Sequence, residues 1–213
     1  MTSIGATIRR ALGPYERPVA EAYRRMFINL DDLAAAIRQR ITPARILEIG
    51  CGEGALAERL VHDWPDAHYT GIDIIGHLGR MYAGPVHNVV FRQVTAQDLA
   101  PEAPGAFDLV VINDVLHHVP TPLRPEIMTA ARDLLCPDGC LLIKDWARRP
   151  TPIHAACYAA DRYIGGDPNV RYMSLDEQRA LIHDAFGVNA QIEECTIAPW
   201  RHNHAFFVTR TTF

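Results

Sequence analysis

No stretch of this 213-residue chain approaches the roughly 18 uninterrupted apolar residues of a membrane-spanning helix, so none is expected. Residues 1–13 contain neither a long apolar run nor a small-residue cleavage site, the two marks of a secretory leader. Cysteine is scarce, odd in number (five) and irregularly spaced, which excludes a disulfide framework and points to a reduced, cytoplasmic chain. Cys136 and Cys140 flank Pro137-Asp138-Gly139 and read as a turn rather than a zinc pair. There is no excess of positive charge: the net charge of −4 and pI near 6.2 supply no general attraction to nucleic acid or to anionic membranes. Repeats, low-complexity tracts and linkers are missing too, which predicts one domain over residues 1–213. What is there, 48% hydrophobic and 22% charged residues, is the composition of an ordinary globular protein.

Pro18 to Arg40 carries apolar residues at helical spacing (Val19, Tyr23, Met26, Phe27, Leu30, Leu33, Ile37), predicting a helix with a break near Asn29 in an N-terminal element over about residues 1–40. Short runs rich in Leu and β-branched residues follow at Arg45–Ile49, His68–Ile72, Val89–Val94, Leu109–Ile112 and Cys140–Ile143, as suits strands buried on both faces. Helices fall between them. One is expected after Gly54, one from Thr121-Pro122 to the Pro137-Asp138-Gly139 turn, and one from the capping box Ser174-Leu-Asp-Glu177 to Gly187. Alternation of strand and helix implies parallel pairing with crossovers. The last two runs, near 189–197 and 204–209, are joined by six residues, too few for a crossover, so they pair antiparallel. The expectation is a doubly wound α/β fold: a mostly parallel seven-stranded sheet closed by an antiparallel C-terminal hairpin.

After the first strand comes Glu48-Ile-Gly50-Cys-Gly52-Glu-Gly54, leading into a helix. Glycines let a ligand approach the backbone, and the helix start offers free N–H groups. Gly50-x-Gly52-x-x-Ala55 also satisfies the dinucleotide fingerprint, with Asp73 at the distance of a ribose-binding acid. Three features separate the two readings. The tight Gly-x-Gly-x-Gly spacing with Glu48 suits a cofactor lacking a pyrophosphate, no residues remain for a separate substrate domain, and the terminal hairpin is foreign to most dinucleotide folds.

Ile46-Leu-Glu-Ile-Gly-Cys-Gly-Glu-Gly54 resembles the first motif of the class I S-adenosylmethionine-dependent methyltransferases. Gly71-Ile-Asp73 resembles their second, Phe107-Asp-Leu-Val-Val-Ile-Asn-Asp-Val-Leu-His-His118 their fourth, and Leu134-Leu-Cys-Pro-Asp-Gly-Cys-Leu-Leu-Ile143 the element entering the fifth strand. The resemblance implies a Rossmann-like fold, S-adenosylmethionine as cofactor and a role for each matching residue. Glu48, Gly50, Cys51 and Gly52 would line its methionine and ribose part, Asp73 would bind both ribose hydroxyls, and Ile74 would pack on adenine. Thr95-Ala96 stands where the family has an acidic residue followed by a small one, so Thr95 departs from the pattern and the adenine contact could fall to Gln97 or Asp98. Asn113 would lie by the methyl group.

A methyl acceptor must sit beyond the carboxyl ends of the fourth to sixth strands. His118 and Asp145 are the candidate general bases. His117, His154, Tyr158, Arg162, Tyr163, Arg171, Trp200, His202 and His204 are the candidate acceptor-binding residues, several of them in the long segment 146–173, read as a cap. Asp114 and Asp145 end adjacent strands as metal-binding carboxylates do in catechol-type methyltransferases, but Trp146 follows where an oxygen ligand would be, so no metal is expected. Asn113-Asp-Val-Leu116 lacks the Pro-Pro-aromatic pattern of nucleic-acid amino-methylating enzymes, which favours a small-molecule acceptor over DNA. The His-His motif leans towards the ubiquinone- and menaquinone-type C-methyltransferases and natural-product tailoring enzymes. Acceptor O, N, C and S remain open, and the competing readings are an NAD(P)-binding oxidoreductase and a non-catalytic methyltransferase-like binding subunit.

Overall fold

Strands that pair in parallel need a crossover between them, and here a helix supplies it except between residues 73 and 89, where a helix-free loop takes the place of the expected helix. The computed structural model, which describes residues 13–210, shows the outcome. In chain order come α1 Glu16–Arg25, α2 Leu30–Arg38, β1 Arg45–Ile49, α3 Ala55–Asp63, β2 His68–Asp73, β3 Val89–Gln93 and the single turn α4 Ala96–Leu99. Then follow β4 Phe107–Asn113, α5 Arg124–Leu134, β5 Leu135–Trp146, α6 Pro152–Ala159, α7 Leu175–Phe186, β6 Gln191–Thr196 and β7 Asn203–Thr209. The sheet has seven strands in the order β3-β2-β1-β4-β5-β7-β6. The first five are parallel, and β7 runs antiparallel to both β5 and β6. Among the described residues no helix is long and apolar enough to cross a membrane.

Side chains alternate across the strands, so each face has its own core. Leu47, Ile49, Val110, Ile112, Leu141, Ile143 and Phe206 pack with Met128 and Leu134 of α5 and Ile182 of α7. On the other face Ile46, Leu109, Val111, Leu142 and Phe207 pack with Leu33 and Ile37 of α2 and Leu56 and Leu60 of α3.

The N-terminal helical reading divides at Asn29, whose Oδ1 accepts from the N–H groups of Asp31 (3.1 Å) and Asp32 (3.2 Å) and so caps α2. Its part over residues 1–12 lies outside the described residues. Leu33 and Ile37 reach the core, whereas Val19 and Tyr23 on α1, and Met26 just after it, stay exposed. Ion pairs hold α1 instead: Arg59 meets Glu21 at 2.9 Å, and Arg80 bridges Glu16 (2.6 Å) and Glu53 (2.8 Å).

Two boundaries shift. Thr121-Pro122 begins a 3-10 turn, and α5 starts only at Arg124, with no side-chain cap. β5 starts at Leu135, which already pairs with Phe107. Residues 136–139 bulge out before Cys140 resumes pairing with Leu109, because α5 hands its chain straight to the sheet. The Ser174–Glu177 capping box forms as expected.

Glu48 is the buried carboxyl of β1, at 3% exposure, and the Tyr69 hydroxyl donates to its Oε2 at 2.5 Å. Burial pushes this carboxyl up to about 8, despite the hydrogen bond from Tyr69 and the pull of Arg24. Between its ordinary 4.5 and about 8 the folded chain therefore holds a proton that the unfolded chain releases, and stability falls as pH rises through that window. Glu48→Gln should flatten this slope, as urea unfolding at pH 5, 7 and about 8.5 would show. Leu142→Ala, which empties a fully buried position at the sheet centre, should cost about 3 kcal/mol in the same assay at fixed pH.

Candidate active site

Strand order reverses between β1 and β4: the chain leaves β1 for β2 on one side and returns to β4 on the other. Such a reversal opens a crevice over the carboxyl ends of the two strands. The loop after β1 enters it with Gly50 at φ 76° and Gly52 at φ 52°. A Cβ on Gly50 would lie 2.3 Å from Val115 Cγ2, so only glycine lets the β1 and β4 loops close on each other. A Cβ on Gly52 would meet nothing within 4 Å, so this stretch of backbone is open to a ligand. The Cys51 side chain is buried beside it, and burial pushes its thiol up, keeping it protonated.

Asp73 ends β2. Its Oδ2 accepts from the Gly52 N–H at 2.8 Å and its Oδ1 from the Ile74 N–H at 2.7 Å, so backbone donors alone orient a carboxylate at the glycine loop. Ile74 beside it is 73% exposed, an apolar side chain largely clear of the protein. Thr95 caps α4 and turns its hydroxyl to Asp98 Oδ2 (2.7 Å), and Ala96 is buried behind it. Asn113 ends β4, and its Oδ1 is buried with no hydrogen-bond partner.

Beyond Asn113 the chain turns at Asp114 into the 3-10 turn Leu116–His118. This brings His117, 3% exposed, to Asp145 at the end of β5, 1% exposed. Nδ1 lies 2.6 Å from Asp145 Oδ1, and the His117 N–H donates to Oδ2 at 3.2 Å. The partner assigns the tautomer: Nδ1 carries the proton and Nε2 is the free base. Burial works against an imidazolium here, but the charge and hydrogen bond of Asp145, with Asp114 and Asp161 behind it, raise His117 above its ordinary value of 6.5. Asp145 is the converse case: burial pushes it up, and His117, Lys144 and the Trp146 N–H together hold it below the usual carboxylate range.

The cap covers this pair. After α6 comes one π-helical turn, Ala160–Gly165, which places Asp161 Oδ2 3.7 Å from His117 Nε2. Tyr172 stacks on the His117 ring, with centroids 4.6 Å apart and planes 17° apart, and its hydroxyl donates to Asp161. His118, more exposed, is tied to Asp167 through Nδ1 at 2.8 Å. The Arg171 N–H donates to the His117 carbonyl at 2.8 Å. His154 meets the Tyr172 ring edge-on at 4.9 Å, with Nδ1 buried and unpartnered. Tyr158 and Tyr163 are exposed, and Arg162 donates to the Pro168 carbonyl within the cap itself.

At the β6–β7 tip, His202 stacks on Trp146 (5.1 Å) and shares a hydrogen bond with Thr151 Oγ1 (2.8 Å). Trp200 Nε1 donates to the Met26 carbonyl at 2.6 Å, and His204 lies 3.5 Å from the Arg149 guanidinium. The structure therefore groups His117, His154 and Asp145 beneath the cap, leaves His118 exposed beside Asp167, and leaves Tyr158 and Tyr163 exposed, while Arg162 bonds within the cap and His204 lies by Arg149. Sequence reasoning missed Asp167, Cys157, whose Sγ lies 3.2 Å from the Tyr172 hydroxyl, and Lys144. Lys144 carried a signal, being a cation directly after the apolar run Leu141-Leu-Ile143 on the same strand. Its Nζ lies 2.6 Å from both oxygens of Asp114, so the chain supplies its own positive charge at the paired strand ends.

A family model described as a methyltransferase domain matches residues 19–191. A ubiquinone biosynthesis O-methyltransferase from Xanthomonas campestris pv. campestris (strain B100) is 34% identical over 196 residues, covering 86% of this chain and 78% of the relative. Human N-acetylserotonin methyltransferase, solved with SAM, superposes with a TM-score of 0.68 at 15% identity over 86% of this chain. The present chain spans about half of that one, 52%. The 1,6-didemethyltoxoflavin-N1-methyltransferase of Burkholderia thailandensis gives a TM-score of 0.64 at 16% identity, covering 95% of this chain and 86% of its own. The family match over residues 19–191 and the 34% identical relative agree with the fold, and this chain belongs to the methyltransferases.

Proposed function

We propose that this protein transfers a methyl group from S-adenosylmethionine to an oxygen of a small-molecule acceptor, with His117 as general base. The observation that carries the reading is the buried Asp145–His117 pair one turn beyond Asn113, its Nε2 free under the cap. When bound, S-adenosylmethionine supplies the methyl group as an electrophilic sulfonium carbon and leaves as S-adenosylhomocysteine.

The residues present fit that cofactor. The open backbone at Gly52 admits it, the Asp73 carboxylate holds a ribose diol, exposed Ile74 covers an adenine face, and the orphaned Asn113 Oδ1 takes up a donor from the amino-acid end. Thr95, engaged with Asp98, leaves the adenine edge to α4.

His117 Nε2 accepts the acceptor's hydroxyl proton as the oxygen attacks. Asp145 holds the imidazole in the productive tautomer and stabilises the imidazolium that results. The cap, residues 146–173, excludes water: Cys157, Val170 and Tyr172 pack on Trp146 together with Phe27 and Ile153. The O-methyltransferase name of the Xanthomonas relative supports oxygen as acceptor atom, and the net negative charge supports a small molecule over nucleic acid.

S-adenosylhomocysteine should raise the melting temperature while NADH leaves it unchanged, and Asp73→Ala should weaken binding of S-adenosylhomocysteine at least about tenfold by calorimetry. With catechol as acceptor probe, His117→Ala should lower kcat by about 10²–10⁴. The wild-type kcat/KM should rise with pH through a midpoint above the ordinary imidazole value of 6.5, because only the neutral ring accepts a proton and Asp145 favours its charged form. A His117→Ala variant with full turnover would remove His117 as the base.

A further inference from the structure

Two carboxylates compete for one imidazole at the strand ends. An oxygen of Asp114, an oxygen of Asp145 and a ring nitrogen of His117 all lie within 4.8 Å of one another, yet His117 bonds only to Asp145. Asp114 is occupied elsewhere, since both its oxygens receive the Lys144 ammonium at 2.6 Å. Lys144 is 1% exposed. Stripping an ammonium of its water costs several kcal/mol, so a lysine there needs a compensating partner held in good geometry. Asp114 is also the one described non-glycine residue with a positive φ, 54°, a left-handed conformation that few L-residues adopt. Its N–H is pinned to the Lys144 carbonyl at 2.9 Å. Main chain and side chain of Lys144 therefore grip the same strained residue, which starts the turn that delivers His117.

We infer that Lys144 is a positioning residue for the methyl transfer: by neutralising and immobilising Asp114 it leaves Asp145, rather than Asp114, as the carboxylate partner of His117 Nδ1. This rests on the proposed role of His117. With His117 neutral, Lys144, Asp114, Asp145 and His117 together carry one net negative charge, and the proton taken from the acceptor brings the group to neutrality. Without the ammonium, Asp114 would join Asp145 and Asp161 as an uncompensated carboxylate facing the ring, holding the imidazolium too firmly for it to act as a base near neutral pH. The remaining groups around the ring, Asp161 and Tyr172 from the cap, neighbouring His118 with its Asp167, and Arg124 from α5, are unchanged by this exchange.

The test is an NMR titration of ¹⁵N-labelled histidine, with His117 assigned through His117→Gln, run on the full chain bound to S-adenosylhomocysteine. In Lys144→Met the His117 midpoint should rise by about one pH unit or more, and the acidic limb of kcat/KM with catechol should move with it. Adding Asp114→Asn, a residue that tolerates positive φ, should return the midpoint towards wild type. Asp114→Asn alone should lower it. An unmoved midpoint in Lys144→Met, or a rise that persists in the double variant, overturns the inference. If Lys144→Met fails to fold, the single Asp114→Asn variant decides, and an unchanged His117 midpoint there overturns it. The NMR midpoint is independent of turnover. A midpoint that shifts while His117→Ala remains fully active would therefore sink the base assignment and spare the electrostatic role of Lys144.

Discussion

Helices close both faces of the sheet, so polar chemistry is confined to the carboxyl ends of the strands, and there chiefly to the gap where strand order reverses between β1 and β4. Every functional group described above obeys that constraint. Asp73, Asn113 and Asp145 sit at or next to the last residue of a strand, and the glycine loop and the His117 turn begin one residue further on. A charge placed deeper would lose its water with nothing to replace it. Glu48 shows the consequence: one residue inside β1, it keeps a proton and leans on the Tyr69 hydroxyl.

At the rim of the sheet charge survives only when paired, and the pairing is orderly. Lys144 takes Asp114, His117 takes Asp145, and His118 takes Asp167. Each pair fixes a backbone turn as well as a charge, so the electrostatics and the shape of the site are one arrangement. Aromatic rings add cover, Tyr172 of the cap over His117 and His202 of the β6–β7 tip over Trp146, which keeps water from the His117–Asp145 pair. The N-terminal helix differs in kind. Its large apolar residues Val19 and Tyr23 stay exposed, and it is fastened through Arg80 and Arg59 to the glycine loop and α3 by ion pairs.

Local patterns alone determined much of this protein: which segments are strands, the antiparallel close of the sheet, the Asn29 break, the Ser174 capping box, and the glycine loop with Asp73. Each depends on residues near one another in the chain, where periodicity, capping and turn chemistry act. Tertiary structure alone decided which histidine meets Asp145, that Asp114 belongs to Lys144, that Thr95 turns to Asp98, and that α1 leaves its apolar stripe in solvent. His117 and His118 are adjacent in the chain and equivalent by composition, yet a positive φ at Asp114 buries the first and exposes the second. Contacts between strand ends depend on register and on the direction of one turn, and a residue's neighbours along the chain encode neither.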